Sequence, residues 1–261
     1  MLKREQILET IKAKLEPLAF VNAMWEGGSA AFGRVDEFSD IDLLLDVADE
    51  KVAETFDALE DALRQLSPIT DTYEIPQPTW HGHHQRFYRL QKASDYLLID
   101  CAITKQSSQN KFLEQEIHGR HLVHFDKTGV VQSPPWDEAA WQERLRKRLA
   151  ELIGFFPITA NFPEKELRRK HPMDALSYYN GLILRPLVEL LRMKYDPSRH
   201  HFGTRYLYTV LPPEEVKQLE GLMFVGSPEA LLVNTAVATD WFWALADELD
   251  EQLDIPEEPT T

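Results

Sequence analysis

The chain has 261 residues, 43% of them hydrophobic, and a formal net charge of −15 at pH 7, which gives enough apolar material for one large or two small cores. The acidic excess argues against a broad nucleic-acid surface, whose affinity comes largely from Lys and Arg, and suits a cationic small molecule better. No run of eighteen apolar residues occurs and no basic start leads into an apolar stretch, so the expectation is a soluble, cytoplasmic protein with no membrane partner.

In chain order, Arg4 to Leu15 carries Ile7, Leu8, Ile11 and Leu15 at helical spacing, and Pro17 closes it. Phe20 to Glu26 reads as a short strand. The Gly27-Gly28-Ser29 turn after it lets the backbone approach a bulky anion without a side chain in the way. Ser29 reads as the N-cap of a helical turn over Ala30 to Arg34, whose exposed N–H groups would face a phosphate. The chain turns through Asp36 to Ser39 and enters Asp40-Ile41-Asp42-Leu43-Leu44-Leu45. Alternation along a strand puts Asp40 and Asp42 on one face and Ile41, Leu43 and Leu45 on the other. Two carboxylates side by side repel each other unless a cation sits between them, and Mg²⁺, an oxygen-seeking ion that also takes phosphate ligands, answers that need.

Val52 to Leu66 is a second amphipathic helix, ended by Ser67-Pro68. Gln85 to Leu90 and Tyr96 to Thr104 form a hairpin through the Lys92 to Asp95 turn. Within Tyr96 to Ile103, Asp100 is the single charge of an otherwise apolar strand, and a charge there needs a partner or a metal. It supplies the third carboxylate expected if two metals are held. Asp95 is its rival, but it lies in a turn, where aspartates cap or solvate. Cys101, the only cysteine, excludes an internal disulfide and reads as a small buried hydrophobe.

Gly28-Ser29, ten intervening residues, Asp40-x-Asp42 and the later strand residue Asp100 together resemble the DNA polymerase β-like nucleotidyltransferase superfamily. Within it, they are similar to the small bacterial enzymes that modify aminoglycoside or lincosamide antibiotics. The resemblance covers roughly the N-terminal half. It implies an α+β chain with a nucleotidyltransferase domain over residues 1–132, built on a mixed sheet with helices on one face. A helical domain over 133–255 would contribute to the substrate cleft, followed by a flexible acidic tail over 256–261. Carried over, Gly28 and Ser29 would contact the triphosphate, with Ser39 grouped beside them. Asp40 and Asp42 would bind two Mg²⁺ ions, and Asp100 would complete the catalytic metal site and is a candidate for the base. The implied reaction moves a nucleoside monophosphate, AMP by preference, from a nucleoside triphosphate such as ATP to a small-molecule hydroxyl and releases pyrophosphate. A homodimer is compatible with this reading. Two rivals stand beside it: a protein-adenylylating enzyme of the antitoxin type, and a non-catalytic nucleotide-binding module.

Ser133-Pro134-Pro135 marks the boundary. Beyond it Trp136 to Phe155, Pro172 to Tyr195, Pro212 to Leu222 and Pro228 to Leu253 have helical periodicity with Pro near their starts, giving a bundle packed against the sheet with the acceptor in the cleft between. Arg192 and Lys194 at a helix end and Arg205 in the following loop are the candidate triphosphate cations from this half. Arg144, Arg146, Lys147, Arg148, Arg168, Arg169 and Lys170 read as solvated faces. His118 and His121 have zinc-like spacing without a completing Glu or Cys. Trp80 with His83 is a candidate lining for the acceptor pocket. Trp241, Phe242, Trp243 and Leu245 read as the core of the last helix. Glu26, Asp36, Glu37, Glu74 and Glu166 read as surface carboxylates, each conceivable as an acceptor ligand or base, and Asp247 to Glu258 as a stretch that frays.

Overall fold

Six strands form one mixed sheet in the order β3-β4-β5-β2-β1-β6 in a computed structural model that describes residues 1–253. The tail expected over 256–261 lies outside the described residues. The strands are β1 (Val21–Glu26), β2 (Ile41–Val47), β3 (Ile69–Glu74), β4 (His84–Leu90), β5 (Ile99–Lys105) and β6 (Leu122–Asp126). Only the central pair, β2 with β5, is parallel; the other neighbours run antiparallel. The chain divides into two units, Met1–Trp136 and the residues from Asp137 onward.

In the first unit, helices α1 (Arg4–Leu15) and α3 (Val52–Leu66) cover one face of the sheet. Their apolar stripes, Ile7, Ile11 and Leu15 with Phe56, Leu59 and Leu63, meet Ile41, Leu43 and Leu45 of β2, all essentially inaccessible to water. Cys101 faces the same core and is fully buried. Between β1 and β2 a single turn, α2 (Gly28–Ala31), follows the glycine bend, and α4 (Gln115–His118) precedes β6. On the sheet's other face Ala23 and Trp25 pack with Leu44 and Leu113.

Two strands lack a signal in the sequence. β3 lies at the sheet edge with five of its six residues exposed, so no apolar alternation marks it. β6 alternates only weakly, with His124 between Val123 and Phe125. The short helix expected over Ala30 to Arg34 starts two residues earlier, with Gly27 rather than Ser29 at the cap position.

The second unit is helical: α5 (Glu138–Thr159), α6 (Phe162–Arg168), α7 (Pro172–Tyr178), α8 (Arg185–Tyr195), α9 (Leu207–Val210), α10 (Pro213–Met223) and α11 (Pro228–Leu253). Asp137 caps α5 by accepting the Ala140 N–H at 3.0 Å. The helix expected to run unbroken from Pro172 to Tyr195 is interrupted by a π-helical segment over Tyr179–Leu184. Pro186 cannot donate to the Leu182 carbonyl and its ring crowds that group, so the chain widens there instead of continuing the regular ladder. Phe242 of α11 stacks on Phe156 of α5 with ring centres 3.7 Å apart, as a core aromatic should. Asp247 to Leu253, expected to fray, continue α11. Among the described residues no helix is long and apolar enough to cross a membrane.

Candidate active site

The parallel register of β2 and β5 sets Asp42 directly beside Asp100, one inter-strand spacing away and on one face of the sheet. Asp40 precedes β2; its Oδ1 accepts the Leu98 N–H at 3.1 Å, while the Ile41 N–H donates to the Leu98 carbonyl at 2.9 Å. The starts of both strands are thus fastened together where the carboxylates sit.

The glycine turn closes over Asp42. Gly27 N–H donates to the Asp42 carbonyl at 2.9 Å, and the Ser29 N–H donates to its carboxylate. Gly28 has a φ of +51°, and a Cβ on it would fall 1.7 Å from Asp42 Oδ2. Only glycine fits a backbone this close to a carboxylate. The Ser29 hydroxyl is buried and has no hydrogen-bond partner among the described residues. Ser29 therefore contributes its backbone to the turn and does not cap it.

Burial raises the pKa of Asp42, and Asp40 beside it raises it further; Arg4 and the Ser29 N–H pull the other way. Burial likewise pushes Asp100 up to about 6, opposed by its hydrogen bond from Gln85 and reinforced by Asp42 and Asp40. Gln85 Nε2 donates to Asp100 Oδ1 at 2.6 Å. Neither Asp42 nor Asp100 has an ion pair among the described residues. Hard oxygen donors on one face of adjoining strands, with no ion pair to Asp42 or Asp100 among the described residues, are a donor set that suits Mg²⁺. The three aspartates fit the ion on that ground, although they stand apart and are not gathered in one tight cluster. The described side chains already close enough to share one ion are instead Glu166, His171 and Asp174. There Glu166 is held by Arg169 at 2.9 Å and His171 at 3.2 Å.

One constellation at this end of the sheet has no signature in the sequence. Glu26, at the end of β1, is 1% exposed and not a surface carboxylate. It pairs with Arg4 of α1 and with His124 of β6, whose Nε2 is 2.9 Å from Glu26 Oε1. Arg4 also donates to the Asp40 carbonyl at 2.5 Å. A helix start, a strand end and the last strand are thereby tied to the residue that opens β2.

Other candidates fall elsewhere. The Ser39 hydroxyl donates to Asp36 Oδ1 at 2.8 Å and accepts the Asp36 N–H at 2.9 Å, so it shapes the turn that delivers Asp40. In the second unit Arg192 is fully buried. It donates to the Gly203 carbonyl at 2.5 Å, to Asp196 at 2.9 Å and to the Arg205 carbonyl. Its guanidinium holds the loop after α8, and the reading of Arg192 as a triphosphate cation is corrected accordingly. Lys194 pairs with Glu248 at 2.8 Å. Arg205 is exposed, its guanidinium 4.6 Å from the centre of the Phe202 ring. Arg148 is bound through two bonds to Glu189, at 2.7 and 2.9 Å, rather than simply solvated. His83 is buried with Nε2 2.8 Å from the Asn110 carbonyl, so it does not line an open pocket, whereas Trp80 is 89% exposed. His118 and His121 do not converge: His121 packs edge-on to Trp25, and His118 lies by Phe112 and Glu114. A cavity of about 500 Å³ opens beside α2, lined by Ala30, Leu113, His121, Val123 and Val131 among others, and none of the three aspartates lines it.

No protein-family model matches the chain, and no curated protein does. Among solved structures, an aminoglycoside 6-adenyltransferase from Bacillus subtilis aligns over 98% of this chain and 94% of its own, with a TM-score of 0.40 and 12% identity. At that level the likeness is distant and carries no functional argument.

Proposed function

We propose that the protein is a Mg²⁺-dependent nucleotidyltransferase that moves a nucleoside monophosphate, AMP by preference, from a nucleoside triphosphate to a hydroxyl of a small molecule. The observation that carries this reading is the side-by-side placement of Asp42 and Asp100, with a glycine turn packed against Asp42. Aminoglycoside-like or lincosamide-like acceptors are the candidates, and the net charge of −15 suits a cationic one.

Asp40, Asp42 and Asp100 would hold the metal. Bound there, Mg²⁺ supplies positive charge that offsets the carboxylates and polarises the phosphate oxygens. The chain's own groups do the rest. Gly28 and Ser29 would let the backbone of the turn approach the triphosphate. In the transfer, the acceptor oxygen bonds to the α-phosphorus, the bond to the bridging oxygen breaks, and pyrophosphate departs with the electron pair. Without metal, burial pushes the Asp100 pKa up to about 6; a bound Mg²⁺ would lower it, leaving Asp100 ionised at neutral pH and the candidate to receive the hydroxyl proton.

The test is a thermal-shift series with ATP, GTP, CTP and UTP, with and without Mg²⁺, on wild type and Asp42→Asn. A ligand at a hundred times its Kd stabilises by about 2.7 kcal/mol. Metal-dependent stabilisation that disappears in the variant, together with loss of turnover in a folded protein, is the expected result. An unchanged shift or rate in Asp42→Asn would remove the metal assignment.

A further inference from the structure

Displacement in line at phosphorus places the incoming hydroxyl opposite the departing pyrophosphate. The glycine turn follows β1 and lies against Asp42. Asp100 is one strand further over, and β4 flanks it on the far side. If phosphates occupy the turn, the acceptor arrives from the β4 side.

The loop between β3 and β4, which carries Trp80, enters β4 at His84, opposite Ile103 and so three residues along β5 from Asp100; Gln85, the next residue, reaches back to Asp100. The indole is 89% exposed, yet it is not loose. It meets the His81 ring nearly perpendicular at 5.1 Å and tilts over Phe112 at 6.1 Å. The loop is braced from within: Thr79 Oγ1 and Gln77 Nε2 both donate to the His83 carbonyl, at 2.8 and 3.1 Å. A large exposed aromatic ring resting against two neighbouring rings offers an apolar face to a ligand.

The platform is joined to Asp100 through hydrogen bonds. The His83 N–H donates to His81 Nδ1 at 3.1 Å, which leaves the other ring nitrogen for the bond between His81 and the Gln85 side chain. Gln85 in turn donates to Asp100 at 2.6 Å. Burial lowers the pKa of His81, His83 and His84, so these rings are neutral at physiological pH and do not repel an ammonium group.

We propose that Trp80 is the acceptor platform: a polyhydroxylated, neutral or cationic ring compound lays its C–H face on the indole and directs a hydroxyl toward Asp100. This rests on the nucleotidyltransferase reading. The test titrates wild type, Trp80→Ala and Trp80→Phe with kanamycin A, a cyclic amino-sugar probe, by saturation-transfer NMR, and separately follows the MgATP thermal shift of each. Binding of kanamycin A at least tenfold weaker in Trp80→Ala, largely kept in Trp80→Phe, with equal MgATP shifts in all three, is expected. Equal binding to wild type and Trp80→Ala, or no binding to wild type, overturns the platform. Absence of a MgATP shift in wild type overturns the nucleotidyltransferase reading instead, whatever the kanamycin titration gives.

Discussion

Gly28 and Asp42 are packed so closely that a single added methyl on the glycine would lie 1.7 Å from the carboxylate oxygen. The contact joins the turn that would cradle phosphate to the side chain that would hold metal. Gly28→Ala meets two obstacles: the φ of +51°, a region that costs a non-glycine residue about 1–3 kcal/mol, and displacement of Asp42. The expected outcome is a lower melting temperature and loss of the Mg²⁺-dependent triphosphate shift, with far-UV circular dichroism retained. A variant that binds MgATP as wild type does would show that the turn is not the phosphate site.

Asp100 predicts a stability profile with an unusual sign. Its folded pKa of about 6 lies above the ordinary 3.8, so the folded chain binds this proton more tightly than the unfolded one does. Ionised Asp100 therefore destabilises the metal-free fold. The cost sets in as pH rises through 3.8 and is complete above about 6, on the order of 3 kcal/mol. Asp100→Asn removes it. In urea titrations with a chelator, the variant should be the more stable protein at pH 8 and match wild type at pH 3.5, with added Mg²⁺ narrowing the gap. A variant that is less stable at pH 8 would argue that Asp100 has a cationic partner after all.

Gln85 acts on the same group from β4. Its hydrogen bond favours the ionised form of Asp100, so Gln85→Ala should raise that pKa further and move the acid limb of the kcat pH profile upward. Gln85→Asn, one methylene shorter, should restore little, because a 2.6 Å contact does not survive retraction of the amide. An acid limb that stays in place while only the melting temperature falls would assign Gln85 a structural role alone.

Much of this site is legible because its chemistry is local. Asp40 and Asp42 declare themselves through strand alternation, Gly28-Ser29 through turn chemistry, and Asp100 by being the one charge in an apolar strand. What joins them is not local. Glu26 and His124 meet because β1 and β6 are neighbours, and Gln85 reaches Asp100 because β4 lies beside β5. No spacing rule reports strand order across a sheet, so Glu26 read as a surface acid and Gln85 carried no signal. β3 escaped for a different reason: an exposed edge has no buried face to pattern. Arg192 misled because a cation at a helix end ordinarily faces solvent, whereas Asp196, four residues on, turns it inward.

That contrast makes the last prediction a comparison between Arg192, at the end of α8, and Arg205, on the loop after it. Arg192 has no exposed surface and is paired with Asp196 at 2.9 Å, and removing one partner of a buried pair costs about 3–5 kcal/mol. Arg192→Ala should therefore lower the melting temperature sharply and leave Asp196 buried with only Arg199, 2.6 Å away, to compensate it. Arg205 is exposed and stacks on Phe202, so Arg205→Ala should leave stability within about 0.5 kcal/mol of wild type. If Arg205 contributes to triphosphate binding, its loss raises the KM for MgATP about tenfold with little change in melting temperature. The two measurements, melting temperature and KM, distinguish a structural role from a binding one. Equal KM in wild type and Arg205→Ala would leave the triphosphate without a cation from this loop.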